Sequence, residues 1–180
     1  MKRALKRIAI VLLILVMLVV VIGLALPTQY EVSRSIVIQA PRERVHALIA
    51  DLSNWPQWEP WTEEDPTIKT TTGESTTGLG AHQSWVGSEG NGNLTFTRVD
   101  AQRGIEYALM FDDKYECVAG MTHEPAGDAV RVTWWMTGDT ETPVIGGYFA
   151  KLMPRMISPM FDRGLEKLKA AAEAAPESTE

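Results

Sequence analysis

Cysteine is all but missing: Cys117 is the only one in 180 residues. An internal disulfide is therefore excluded, and the fold has to rest on a packed core. Histidine is scarce too. His46, His82 and His123 lie far apart and form neither a His-x-His nor a His-x-x-x-His pair, and they have no cysteine or carboxylate partner at metal-ligand spacing, so no metal site is expected. No Gly-x-Ser-x-Gly elbow is present to activate a serine. The glycine-rich stretch Gly87-Ser-Glu-Gly-Asn-Gly92 falls between strand-like runs instead of opening a helix, which removes the usual phosphate cradle. Glu63-Glu64-Asp65 and Asp112-Asp113 sit in turns without the alternating oxygen ligands of a calcium loop. The residues thus offer no catalytic set, and no cofactor is read from them.

Positive charge is the other shortage. Four of the 17 basic residues are Lys2, Arg3, Lys6 and Arg7, so the remaining chain holds 13 against 23 acidic residues, a net charge near −10. Such a surface repels phosphate backbones, which argues against nucleic acid as a partner. Behind the basic flank of residues 1–7, residues 8–26 hold no charged side chain. Nineteen residues at ~1.5 Å each span about 28 Å, close to the thickness of a bilayer's hydrocarbon. The basic flank predicts a single-pass helix with its N-terminus in the cytoplasm and residues 27–174 outside, periplasmic in a Gram-negative cell. A cleaved signal peptide is the competing reading, with Gly23-Leu-Ala25 as a marginal cleavage site.

After Pro27 the chain changes texture several times. Tyr30–Gln39 alternates as a strand, and Ala40-Pro41 opens a short helix whose Val45, Leu48, Ile49 and Leu52 form one apolar stripe. Asp51 to Trp61 then packs three tryptophans, Trp55, Trp58 and Trp61, around Pro56 and Pro60; the prolines predict a bent connection, not a regular helix. From residue 67 to 138, six short runs alternate between turn residues: 68–72, 81–87, 94–100, 105–111, 115–124 and 130–137. That spacing predicts an antiparallel meander. A long amphipathic helix follows over about 144–174, with a bend expected at Pro154 and Pro159, and a polar tail closes the chain at 175–180. The sum is an α+β fold in which the sheet's apolar face must be covered by the one long helix.

The chain resembles the helix-grip superfamily of START-like, polyketide cyclase/dehydrase and pollen-allergen-type proteins (SRPBCC). The resemblance is carried by Ser33-Arg-Ser-Ile-Val-Ile-Gln-Ala-Pro41, by Val45 and Asp51, and by Asn54-Trp-Pro-Gln-Trp-Glu-Pro-Trp61. It continues through Gly78–Trp85, Val132-Thr-Trp134 with Met136, and Phe161–Leu168. It implies a curved sheet wrapped around the C-terminal helix, with a cavity between them for a hydrophobic small molecule or lipid. The nearest subgroup is bacterial and membrane-anchored.

Alternation along the strands places Trp85, Tyr107, Leu109, Phe111, Trp134 and Met136 on the face toward that cavity. Phe149, Met153, Met156 and Met160 are expected to face it from the helix, with flexible methionines adapting to a ligand. Trp58 is expected to be the most buried of its cluster and Trp61 the nearest to a ligand. Arg98 and His46 are the polar candidates. Trp135 should point outward from the sheet, where it is available to a partner. The functions these residues fit are a membrane-tethered hydrophobic-ligand binder, a cyclase- or dehydrase-like enzyme on a polyketide-type substrate, or an interaction module. A non-catalytic binder is the leading expectation.

Overall fold

The computed structural model describes residues 2–174; the tail at 175–180 lies outside them. An apolar helix, α1 (Lys2–Ala25), leads the chain, and of its residues only Gly23 is buried. Then come β1 (Gln29–Ile38), α2 (Arg42–Ile49), a 3-10 helix (Leu52–Gln57), the one-turn α3 (Trp61–Glu64), β2 (Lys69–Thr72), β3 (His82–Gly87), β4 (Gly90–Asp100), β5 (Gly104–Phe111), β6 (Tyr115–Ala126), β7 (Ala129–Asp139) and α4 (Gly146–Glu173). Seven antiparallel strands run in the order β1-β7-β6-β5-β4-β3-β2. The meander is therefore closed on one side by the first strand, which pairs with the last from Gln29↔Asp139 to Ile38↔Val130. The curved sheet with its long C-terminal helix is the α+β arrangement the sequence predicts.

The turn between β3 and β4 is tighter than the glycine run suggests. Gly87 pairs with Gly90, leaving only Ser88-Glu89 at the tip, and Gly90 adopts φ +138. In the aromatic connector the prolines act through position. Asp51 caps the 3-10 helix by accepting from the Ser53 amide at 2.9 Å, and that helix carries Pro56 inside it. The Glu59 carboxylate accepts from the amides of Trp61 at 2.6 Å and Thr62 at 3.3 Å and from the Thr62 hydroxyl, so it caps α3 and is itself buried. The helix α4 continues through both Pro154 and Pro159.

The core lies between the sheet's inner face and a cover of α2, the aromatic connector and the second half of α4. One inner row crosses the sheet as Val32, Met136, Ala119, Tyr107 and Phe96, all buried. Trp55 and Trp58 drop onto it, and each indole N–H is satisfied by a carbonyl of α2: Trp55 by Ile49 at 3.0 Å and Trp58 by Leu48 at 3.1 Å. From α4, Phe161 stacks flat on Trp134 with ring centres 4.2 Å apart, and Leu165 and Leu168 continue the seam. Gly164 lets this helix approach: a Cβ there would lie 2.7 Å from the Trp134 ring and 3.2 Å from Pro60. Three exposed ion pairs, Arg34–Asp162 at 3.3 Å, Arg163–Glu64 at 2.9 Å and Lys167–Glu63 at 2.7 Å, tie α4 to its neighbours, each worth little alone.

Candidate functional site

The predicted pocket residues separate by depth. Trp58, Tyr107, Leu109, Trp134 and Met136 are buried. The Tyr107 hydroxyl accepts from the Trp134 indole at 2.8 Å, and burial holds that phenol well above its ordinary pKa, so it stays protonated. Trp61, Trp85, Met153 and Met160 are half-buried. Trp85 lies across Gly92, whose added Cβ would meet the indole, and touches Phe111 edge-on at 5.4 Å. Trp61 meets the buried Trp134 at 6.3 Å, also edge-on. Within the connector Trp58 is fully buried and Trp61 is not, which is the expected order.

Phe111, at the end of β5, is exposed instead of facing the interior, and other placements differ from expectation as well. Phe149 and Met156 do not face the sheet; both are exposed. Seven residues is close to two helical turns, so they share one side of α4, turned roughly 110–130° about its axis from the buried Ala150 and Phe161. The first half of this helix is apolar on two sides, and spacing alone does not say which one the sheet takes. Arg98 is not in the interior either. Pairing slips between Phe96 and Arg98, and this bulge turns Arg98 to the surface, where it bonds Glu106. His46 is half-buried on α2, where that helix meets β6. Its Nδ1 lies 3.1 Å from Nε2 of His123, with the rings 5.3 Å apart and edge-on. Trp135 does point outward, but it lies over Gly120 and is half-buried, not free.

The histidine pair is invisible to linear spacing because 77 residues separate its members. His123 sits on the inner row beside Val132, beneath α2. Burial pulls both imidazoles below their ordinary pKa. For His123 the neighbouring His46 and Arg42 add to this, while Asp100 opposes it for both. Nδ1 of His123 is buried and has no hydrogen-bond partner among the described residues. Cys117 is buried as well, and its thiol is pushed up to about 11 by burial, which makes it a poor nucleophile. Among the described residues no group of three or more His, Cys, Asp or Glu side chains could hold a metal ion.

A cleft of about 900 Å³ opens elsewhere, on the outer face. Its wall includes Glu31, Thr137, Val118, Ala108 and Thr95, which are cross-strand partners in a single row. Of the predicted ligand residues only Leu109 borders it. Polar and apolar residues alternate there as on any solvated sheet face, so the sequence carries no signal for it.

Known proteins place this geometry. A solved protein from Chromobacterium violaceum is 18% identical, with a TM-score of 0.60 over 81% of this chain and 99% of its own. One from Thermobifida fusca is 23% identical, with a TM-score of 0.60 over 77% of this chain and 90% of its own. DynU16, from the dynemicin biosynthetic locus, is 15% identical, with a TM-score of 0.56 over 80% of this chain and 47% of its own. At these identities the likeness is one of fold. No functionally curated protein matches the sequence. The family described as polyketide cyclase/dehydrase and lipid transport matches residues 29–173. With nearly the whole chain after α1 covered by that match, the protein belongs to the polyketide cyclase/dehydrase and lipid transport family.

Proposed function

We propose that the protein is a membrane-anchored binder of a hydrophobic small molecule or lipid, held between the sheet and α4. The observation that carries this is the character of the side chains that packing leaves unfinished. Trp61, Trp85, Met153 and Met160 are half-buried and apolar, and the two methionines are adjustable. Membership of a family that includes lipid transport supports the same reading. The anchor is supported by α1, 24 residues long and almost wholly exposed, and by its contacts with the folded body. The Tyr148 hydroxyl donates to the Val19 carbonyl at 2.8 Å, and Gly23 abuts Val144. Those contacts favour a retained helix over a removed signal segment. Basic residues at 2, 3, 6 and 7 favour a cytoplasmic N-terminus.

Titrating the full chain in mild detergent with a brominated fatty acid tests the binding site. Quenching of tryptophan fluorescence is expected, with most of it lost in the Trp61→Phe, Trp85→Phe double variant. Quenching unchanged in that variant would move the ligand elsewhere.

One observation favours a second reading, an enzyme of the cyclase or dehydrase type: the His46–His123 pair, with one nitrogen of His123 buried and unpartnered among the described residues. An imidazole kept neutral by burial is able to take a proton from a bound substrate. Turnover of a polyketide-type substrate that disappears in His123→Gln, while brominated fatty acid still binds, would establish it.

A further inference from the structure

The first half of α4 carries an apolar stripe that the fold does not use. Ile145, at the helix start, is followed by Tyr148, Phe149, Leu152 and Met156 at three-, four- and seven-residue spacings. At 3.6 residues per turn these five fall within an arc of about 100°. All are 36–57% exposed, on the side away from the buried Ala150, Ser158 and Phe161. From Gly146 to Phe161 the only charged residues are Lys151 and Arg155, both basic and both exposed. Both fall on one side of the stripe, and an apolar stripe with aromatic members and a basic flank is the composition of a helix lying at a lipid surface.

What covers this stripe follows from its place beside α1. Gly147 packs on Leu26, Val144 packs on Gly23, and the Tyr148 hydroxyl reaches the carbonyl of Val19. Neither glycine can accept a Cβ without meeting backbone or a side-chain root of the other segment. Val144 is also held at φ +65, a conformation that a β-branched residue rarely adopts. The junction is therefore built for close approach. Val19 lies seven residues before Leu26, about 10 Å along the helix axis. If residues 8–26 cross the bilayer, the start of α4 is at the outer edge of the hydrocarbon, and its exposed stripe has lipid for a neighbour.

We infer that the outward stripe of α4, from Ile145 through Leu152, lies in the headgroup region of the outer leaflet, with Met156 at its upper margin. The protein then rests on the bilayer at two points, the spanning helix and the start of α4. This fixes the orientation of the sheet–helix interior relative to the lipid instead of leaving the body on a free tether. The inference rests on the reading of α1 as a membrane anchor, and its test separates the two.

The full chain, in a Cys117→Ala background and reconstituted in phospholipid nanodiscs, is spin-labelled at one site at a time: Leu13→Cys, Phe149→Cys, Leu152→Cys, Met156→Cys or Glu166→Cys. Glu166 is exposed on the same side of α4, further from α1. All four α4 positions are exposed, so folding is expected to survive, and circular dichroism checks it. Labels at 149 and 152 should be several-fold more accessible to oxygen than to a water-soluble nickel complex, 156 should be intermediate, and 166 should show the reverse. If 13 is in lipid but 149 and 152 are as wet as 166, the inference fails while the anchor stands. If 13 is also in water, the anchor fails and the inference with it. Spin–spin broadening at 149 and 152, removed by dilution with unlabelled protein, would mean that a second copy covers the stripe, which also overturns it.

Discussion

Two tryptophans three residues apart differ in how deeply they are packed. Trp58 is fully buried, its indole N–H satisfied by Leu48 and its ring edge-on to Trp134 at 5.5 Å. Trp58→Ala removes that packing and strands the Leu48 carbonyl, at a cost of about 3–5 kcal/mol. Trp61→Ala takes away a half-buried ring and should cost less than half as much, with ligand affinity the quantity that changes. Urea denaturation of both variants checks the contrast. The histidine pair makes a pH prediction. Both imidazoles have folded-state pKa values below the unfolded value near 6.5, so the unfolded chain binds more protons in the window beneath it. Stability is then full above pH 7 and falls as the pH drops through 6.5 toward 5. The carboxylates with lowered values, among them Asp51, Asp65 and Asp100, act only in more acid solution. His123→Gln should flatten the melting temperature between pH 7 and 5; an unchanged slope would place its origin elsewhere.

At the scale of elements, type and order were legible because each rests on local chemistry. The meander followed from alternation and turn residues, and the short helix followed from Ala40-Pro41 and its apolar stripe. What was not legible depends on contacts remote in sequence. The bulge at Phe96/Arg98 reverses the side on which Arg98 emerges, and nothing in Thr97 or Arg98 announces it. The helix α4 has two apolar sides in its first half, so its periodicity fits either orientation, and Phe149 and Met156 fall on the side the sheet does not take. The start of β5 is pinned differently. Gly104 adopts φ +113, and an added Cβ would run into the Met121 carbonyl of the next strand. Gly104→Ala should therefore cost more than about 1 kcal/mol in thermal unfolding, through backbone conformation and a backbone clash together.

For the molecule as a whole, the family and fold were legible and the occupancy of the interior was not. The inner face is filled at its centre by side chains that meet one another, Trp58, Trp134, Tyr107 and Phe161 among them. Only the side chains around that centre are left half-covered, and sequence alternation gives all inner positions the same weight. The outer cleft shows the converse, a hollow made by sheet shape from residues with no common signature. On the proposed function, the anchor would keep the binder beside lipid and raise the local concentration of an apolar ligand. Native mass spectrometry of the full chain, released from its own membranes in mild detergent, tests that claim most directly. The account predicts a non-covalent apolar adduct that is retained at low collision energy and lost in the Trp61→Ala, Trp85→Ala double variant. The bare chain mass in repeated preparations, or an adduct that the double variant keeps, would contradict it.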